Sequence, residues 1–84
     1  MTEKIKELRV LLTALEVYES RLERAEKEDD EDKWDFLYRE EWNCREKAVA
    51  LIVDITSGAV NAKTARTMLI KKSNELKALV SRAA

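Results

Sequence analysis

Cys44 is the natural first candidate for nucleophilic chemistry, being the one thiol in the chain. A thiol attacks as the thiolate, and it needs a base or a cationic neighbour to become one. The usual base is His, and the 84 residues contain none. Glu40, four residues earlier, is no substitute. Cys44 falls on an apolar helical seam, which predicts a buried, inert thiol.

The carboxylates come next. Asp29, Asp30, Glu31 and Asp32 have the composition of a calcium cluster. Where such a loop needs its central Gly the chain has Trp34. A carboxylate-bridged pair of metals needs Glu-x-x-His on two helices, which a chain without His cannot supply. The single Gly, Gly58, cannot build a glycine-rich phosphate loop, and a lone Cys cannot build a structural zinc site. No catalytic residue, metal ligand or cofactor is therefore assigned, and the expected protein is not an enzyme.

Three kinds of binding chemistry remain. Lys63, Arg66, Lys71, Lys77 and Arg82 are a basic set able to meet phosphates, and the turn at 57–61 has a superficial likeness to helix-turn-helix. Because the whole chain is slightly acidic, with a net charge of −1, nucleic-acid binding is the alternative reading. An acidic run from Glu26 to Asp35, with Glu40 and Glu41, could act in the opposite way, as a mimic of nucleic acid.

The favoured chemistry is aromatic. Trp34, Phe36, Tyr38 and Trp42 place four of the five aromatic residues within nine positions. Trp and Tyr are common anchors of protein interfaces. Trp34 and Tyr38 share one side of a helix, while Phe36 and Trp42 are read as pointing away from them. One small bundle does not easily bury both sides. Phe36 and Trp42 are thus expected on the docking surface, with Trp34 and Tyr38 beside them and Asp29, Asp30, Asp32 and Asp35 as an acidic edge.

Helices must position these residues. The sequence has no Pro, and Leu, Ala, Glu, Lys and Arg dominate it. Leu8, Leu11, Leu15, Tyr18, Leu22 and Ala25 alternate at spacings of 3 and 4, a helical seam that Ile5 and Leu12 widen. Val10, Ala14 and Val17 add a weaker stripe, which predicts a second neighbour. This first helix is expected over 2–27, with Thr2 as its N-cap. Continued further, the seam reaches Asp29 and Asp32, and a new one starts out of phase at Trp34. The phase break predicts an acidic turn at 28–32, with Asp30 or Asp32 capping the next helix.

The second helix is expected over 33–57. Trp34, Leu37, Glu41, Cys44, Ala48, Leu51 and Ile55 form its seam, and Val49 and Val53 make it apolar on a further side. Glu41 and Arg45 stand four apart in the order that favours pairing. Gly58 suits the left-handed residue after a helix end and Asn61 the next N-cap. A third helix follows over about 61–82, with Ala65, Met68, Leu69, Lys72, Leu76, Leu79, Val80 and Ala83 on its inner face.

Short connections make antiparallel neighbours, so the fold class is all-α: a three-helix antiparallel hairpin bundle in a single domain. The alternative is one straight helix over 2–57 in a coiled-coil dimer. A core this small is marginal alone, which points to a homo-oligomer, a dimer above other states. The near-balance of charge hides a division. Residues 19–41 hold 11 acids and 5 bases, whereas residues 61–84 hold 6 bases and 1 acid. That division can steady the bundle internally, drive acidic-end-to-basic-helix self-association, or face a partner.

No apolar run approaches the roughly 18 residues of a membrane span, and the start shows no signal segment. A lone Cys suits a reducing compartment, so cytoplasm is expected and membrane association is not. The expected function is that of a small protein-binding adaptor, inhibitor or regulator. Its size and lack of cofactor motifs suit an accessory protein of a phage or mobile element, and its partner is a protein that the sequence does not identify.

Overall fold

In a computed structural model that describes residues 2–81, the chain forms helices throughout, in the order α1 (Thr2–Lys27), α2 (Glu31–Ile55), α3 (Ala62–Lys71) and α4 (Asn74–Ser81). The class is the expected one. The turn at 28–30 is real, which excludes the straight rod over 2–57. Arg82 and Ala83 lie outside the described residues.

The start of each later helix is fixed by a short polar side chain. Asp30 has extended backbone and accepts from the Lys33 amide at 3.2 Å. Asn61 accepts from the Thr64 amide at 2.8 Å, and the Ser73 hydroxyl from the Leu76 amide at 3.1 Å. Each thereby satisfies one of the amides that a helix start leaves unpaired.

The helix ends are closed by one repeated device. Asp29, Ser57 and Lys72 all take the left-handed conformation, at φ of 57°, 53° and 50°. After each of them, an amide reaches back five residues: Asp30 to the Ala25 carbonyl, Gly58 to Val53, and Ser73 to Met68. This is the pattern that satisfies the last carbonyls of a helix. Gly58 is itself left-handed at φ 83°, but the residue that ends α2 is Ser57, one position earlier.

The device at Lys72 corrects the expected third helix. Within that span the described residues form two helices, α3 and α4, because Lys72 turns the chain and Ser73 starts a new cap. Lys72, expected on the inner face, is exposed. Apolar spacing runs through the break undisturbed, since Ala65, Met68, Leu69, Leu76 and Leu79 are all buried.

The long α1–α2 hairpin forms one layer. The α3–α4 pair forms a second, with α3 on α2 and α4 on α1. Arg9 donates from Nε to the Val80 carbonyl at 2.9 Å, tying α4 to the first third of α1. Lys4 and Asp54 bridge the hairpin at the same end, while Cys44 lies against Leu11 halfway along it. The core sits in this thick half: Ile5, Leu8 and Leu15 meet Ala48, Val49 and Ile52, with Met68, Leu69, Leu76 and Leu79 above them. Towards the 28–30 turn the hairpin continues as a single layer, closed by Ala25 and Leu37, which are buried outside that core. The second stripe of α1 does not gain the expected neighbour: Val10 is 68% exposed and Val17 faces solvent, with only Ala14 partly covered.

Candidate protein-docking surface

α3 packs on α2, and Val49 and Ile52 of α2 are buried in the core that the two helices share. Counting back along α2 at helical spacing, the same stripe passes through Arg45, Trp42, Tyr38 and Trp34, at steps of 4, 3, 4, 4 from Val49. Residues spaced this way lie one above another on one helix face. Where α3 lies over it, the stripe is core. Beyond the end of α3 it has no cover, and Tyr38 is 48% and Trp42 46% exposed.

The uncovered part is ordered by its own contacts. Trp34 and Tyr38 stack with ring centres 5.0 Å apart and planes 10° from parallel. The Arg45 guanidinium lies 5.9 Å from the centre of the Trp42 ring, within cation–π reach. Arg45 is in turn held by Glu41, which is only 6% exposed and is the one buried charged residue among those described. This is the expected Glu41–Arg45 pair, and it fixes a planar cation between the core and the aromatic row.

Arg45 also borders a cavity of about 140 Å³ between the layers, floored by Leu12, Leu15, Leu69 and Leu76 and edged by Glu19 and Lys72. That is below the roughly 300 Å³ of ordinary small-molecule sites. Arg45 thus borders the cavity and also touches the row through Trp42.

The expected site residues separate into two faces. Asp35, Arg39, Tyr38 and Trp42 line one hollow, and Trp34 borders another with Glu26, Asp30 and Glu31. The acidic edge therefore meets the aromatic row at both ends. Asp30 is held by its cap, Asp29 borders the Trp34 hollow from the turn, and Asp32 stands exposed in the first turn of α2. Phe36, 60% exposed, falls elsewhere: it shares a hollow with Arg21, Arg24 and Lys33. Trp42 is thus grouped with Tyr38 rather than with Phe36, since it stands four residues from the first and six from the second.

Of the basic set, Arg66 is committed to Glu46 by two hydrogen bonds of 3.0 and 2.7 Å. The Arg66 guanidinium holds the Glu46 carboxyl below its ordinary range, and Glu46 pushes the Arg66 value up. Lys72 reaches Glu19 at 3.3 Å. Lys63, Lys71 and Lys77 are exposed and without an acidic partner among the described residues, and Arg82 lies outside them. Sequence reasoning did not single out Ile70, which stands 67% exposed on the outer side of α3. The spacing Lys63, Thr67, Ile70 was the available signal.

Cys44 is buried, and its thiol faces the Leu11 carbonyl at 3.5 Å. Burial pushes its pKa up, with smaller opposed effects of Lys47 and Glu41. Among the described residues no three His, Cys, Asp or Glu side chains converge to hold a metal ion, and no helix is long and apolar enough to cross a membrane. Comparison with protein-family models, curated proteins and solved structures finds no match to this chain.

Proposed function

We propose that the protein is a small, non-enzymatic, protein-binding adaptor, inhibitor or regulator. It acts by accepting a helix of its partner along the row Trp34, Tyr38, Trp42. The observation that carries this reading is the continuity of the row with the stripe that α3 buries. The same face of α2 is core at one end and open at the other. A helix laid over the open end would extend the second layer. Its side facing the row would be apolar, to cover the aromatic rings, and flanked by Lys or Arg to meet Glu26, Glu31 and Asp35. Docking there would occlude the partner's helix or bridge it to whatever the thick half holds.

Half-exposed Trp and Tyr side chains are the residues from which interfaces draw most of their energy. Arg45 adds a preorganised planar cation. We read the protein as cytoplasmic, because a buried lone thiol suits a reducing compartment.

The test is affinity capture from the native host with the wild-type chain and with a Tyr38→Ser/Trp42→Ser variant. The variant should keep its helical circular dichroism, since both side chains are already half in water. Its capture of the wild-type partner should drop at least tenfold. A folded variant that captures the same partner undiminished would remove the aromatic row from the function.

A further inference from the structure

We propose that a second copy of this chain supplies a cover for the aromatic row, in a two-fold dimer whose copies interlock through their thick and thin halves. The inference rests on the reading above that the row is a docking surface, and it names an occupant.

The shape permits it. Each copy is two layers thick over the α3–α4 half and one layer thick towards the 28–30 turn. If a second copy is inverted over the first, its α3–α4 layer fills the step above the first copy's thin half. The first copy's α3–α4 layer fills the second copy's step in the same operation. Both contacts are then identical, as a two-fold interface requires. The lengths agree: α3 has 10 residues, about 15 Å, and the row from Trp34 to Trp42 spans eight steps, about 12 Å.

The charge agrees as well, and the apolar contact of this occupant is Ile70. The thin half is the acidic part of the chain, with 11 acids and 5 bases in residues 19–41. The outer side of α3 presents Lys63, Thr67 and Ile70 at helical spacing, with Lys71 beside them. Within one copy the basic region meets that acidic stretch only through Lys72 and Glu19 among the described residues. No other ion pair joins the two regions among the described residues, and the interlocked arrangement brings their opposite charges together. Ile70, exposed for no reason inside one copy, faces the aromatic rings.

A stable dimer buries about 800 Å² per partner, which is roughly one-seventh of the 5955 Å² surface of this chain. The two-fold arrangement divides that demand between two separate contacts.

Sedimentation velocity on the full chain over a range of concentrations, at low and high salt, tests the proposal. A dimer that dissociates on dilution, and more readily as salt rises, is expected. The deciding experiment uses two charge reversals at exposed positions, Glu26→Lys/Asp35→Lys and Lys63→Glu/Lys71→Glu, each checked for wild-type helicity. Alone, each places like charges at both contacts and should be monomeric. Mixed in equal amounts, they place opposite charges at both contacts and should form a one-to-one heterodimer. A wild-type chain that stays monomeric at every concentration, or a mixture that stays monomeric, overturns the dimer.

The Tyr38→Ser/Trp42→Ser variant separates the two readings. If the wild-type chain is monomeric while the variant loses capture of a partner, the second copy fails as occupant and the docking row stands. If the variant both dimerises and captures like the wild type, both readings fall.

Discussion

Arg45→Ala removes the cation on which the interior and the aromatic row both depend. Glu41 is 6% exposed, and its side-chain partner is Arg45. Without the guanidinium, the carboxylate stays in a place that water reaches poorly. Deleting one member of a buried pair costs about 3–5 kcal/mol, most of it the penalty of the charge left behind. Arg45 itself keeps 23% of its side chain in solvent, so the lower end of that range applies. Losing the Trp42 contact adds roughly 0.5–1 kcal/mol. The expected loss is therefore about 3–4 kcal/mol, a large share of the roughly 5–15 kcal/mol that holds a small domain folded. At about 4–8 °C per kcal/mol for this size, the midpoint of thermal unfolding should fall by more than about 10 °C. Urea unfolding followed by far-ultraviolet circular dichroism measures it, with an unchanged urea slope as the check that folding stays two-state. The double variant Glu41→Leu/Arg45→Leu should recover most of the loss, because replacing both partners leaves no orphan charge. An Arg45→Ala loss below about 1 kcal/mol, or a double variant as unstable as the single one, would show that the pair is solvated and that Arg45 is not held.

Three further outcomes follow from the same contacts. Arg66 holds the Glu46 carboxyl below its ordinary 4.5, so this pair adds stability above that pH and loses it as pH falls through the lower folded value. Urea midpoints taken into the acid range should show that decline in the wild type and less of it in Glu46→Gln. Burial raises the Cys44 thiol above its ordinary 9.0; alkylation should be slow in the folded chain and fast in urea, and stability should decline as pH rises past about 9, less steeply in Cys44→Ala. Ser57→Gly should stabilise by up to about 1 kcal/mol, because it relieves a left-handed non-Gly residue at a net gain after the added chain entropy of Gly, whereas Asn61→Ala should cost about 1 kcal/mol through its lost cap; chemical denaturation reads both.

Much of the architecture is local chemistry and was legible for that reason. Asp30 and Asn61 are side chains that can reach an amide three residues on, so the sequence places the cap of α3 and narrows that of α2 to Asp30 or Asp32. The end of α1 could be read because its apolar seam runs into acids. The break at Lys72 was hidden by two things. Lys is a good helix former, and Leu69 and Leu76 stand seven apart, so the apolar rhythm is the same with or without a break. The available clues were Lys72 itself on the inner face and the pair Ser73-Asn74, whose side chains compete for backbone groups inside a helix. Similarly, the aromatic cluster could be read as surplus to one core, but its division could not. Which aromatics share a face with Val49 depends on where α3 stops, and that is set by a tertiary contact rather than by α2.

The left-handed lysine then has a consequence of its own. Had Lys72 and Ser73 stayed helical, α3 would have run on as a helix of about 20 residues, roughly 30 Å long, beside a molecule whose longest dimension is 41 Å. It would have lain over Trp42 and Tyr38, giving a three-helix rod without the step above α2. By doubling back, the chain instead lays those residues, as α4, against the first third of α1. One backbone torsion thus decides whether this face of α2 is covered or open, and a substitution that restored the helix through residue 72 would cover the row without altering a single residue on it.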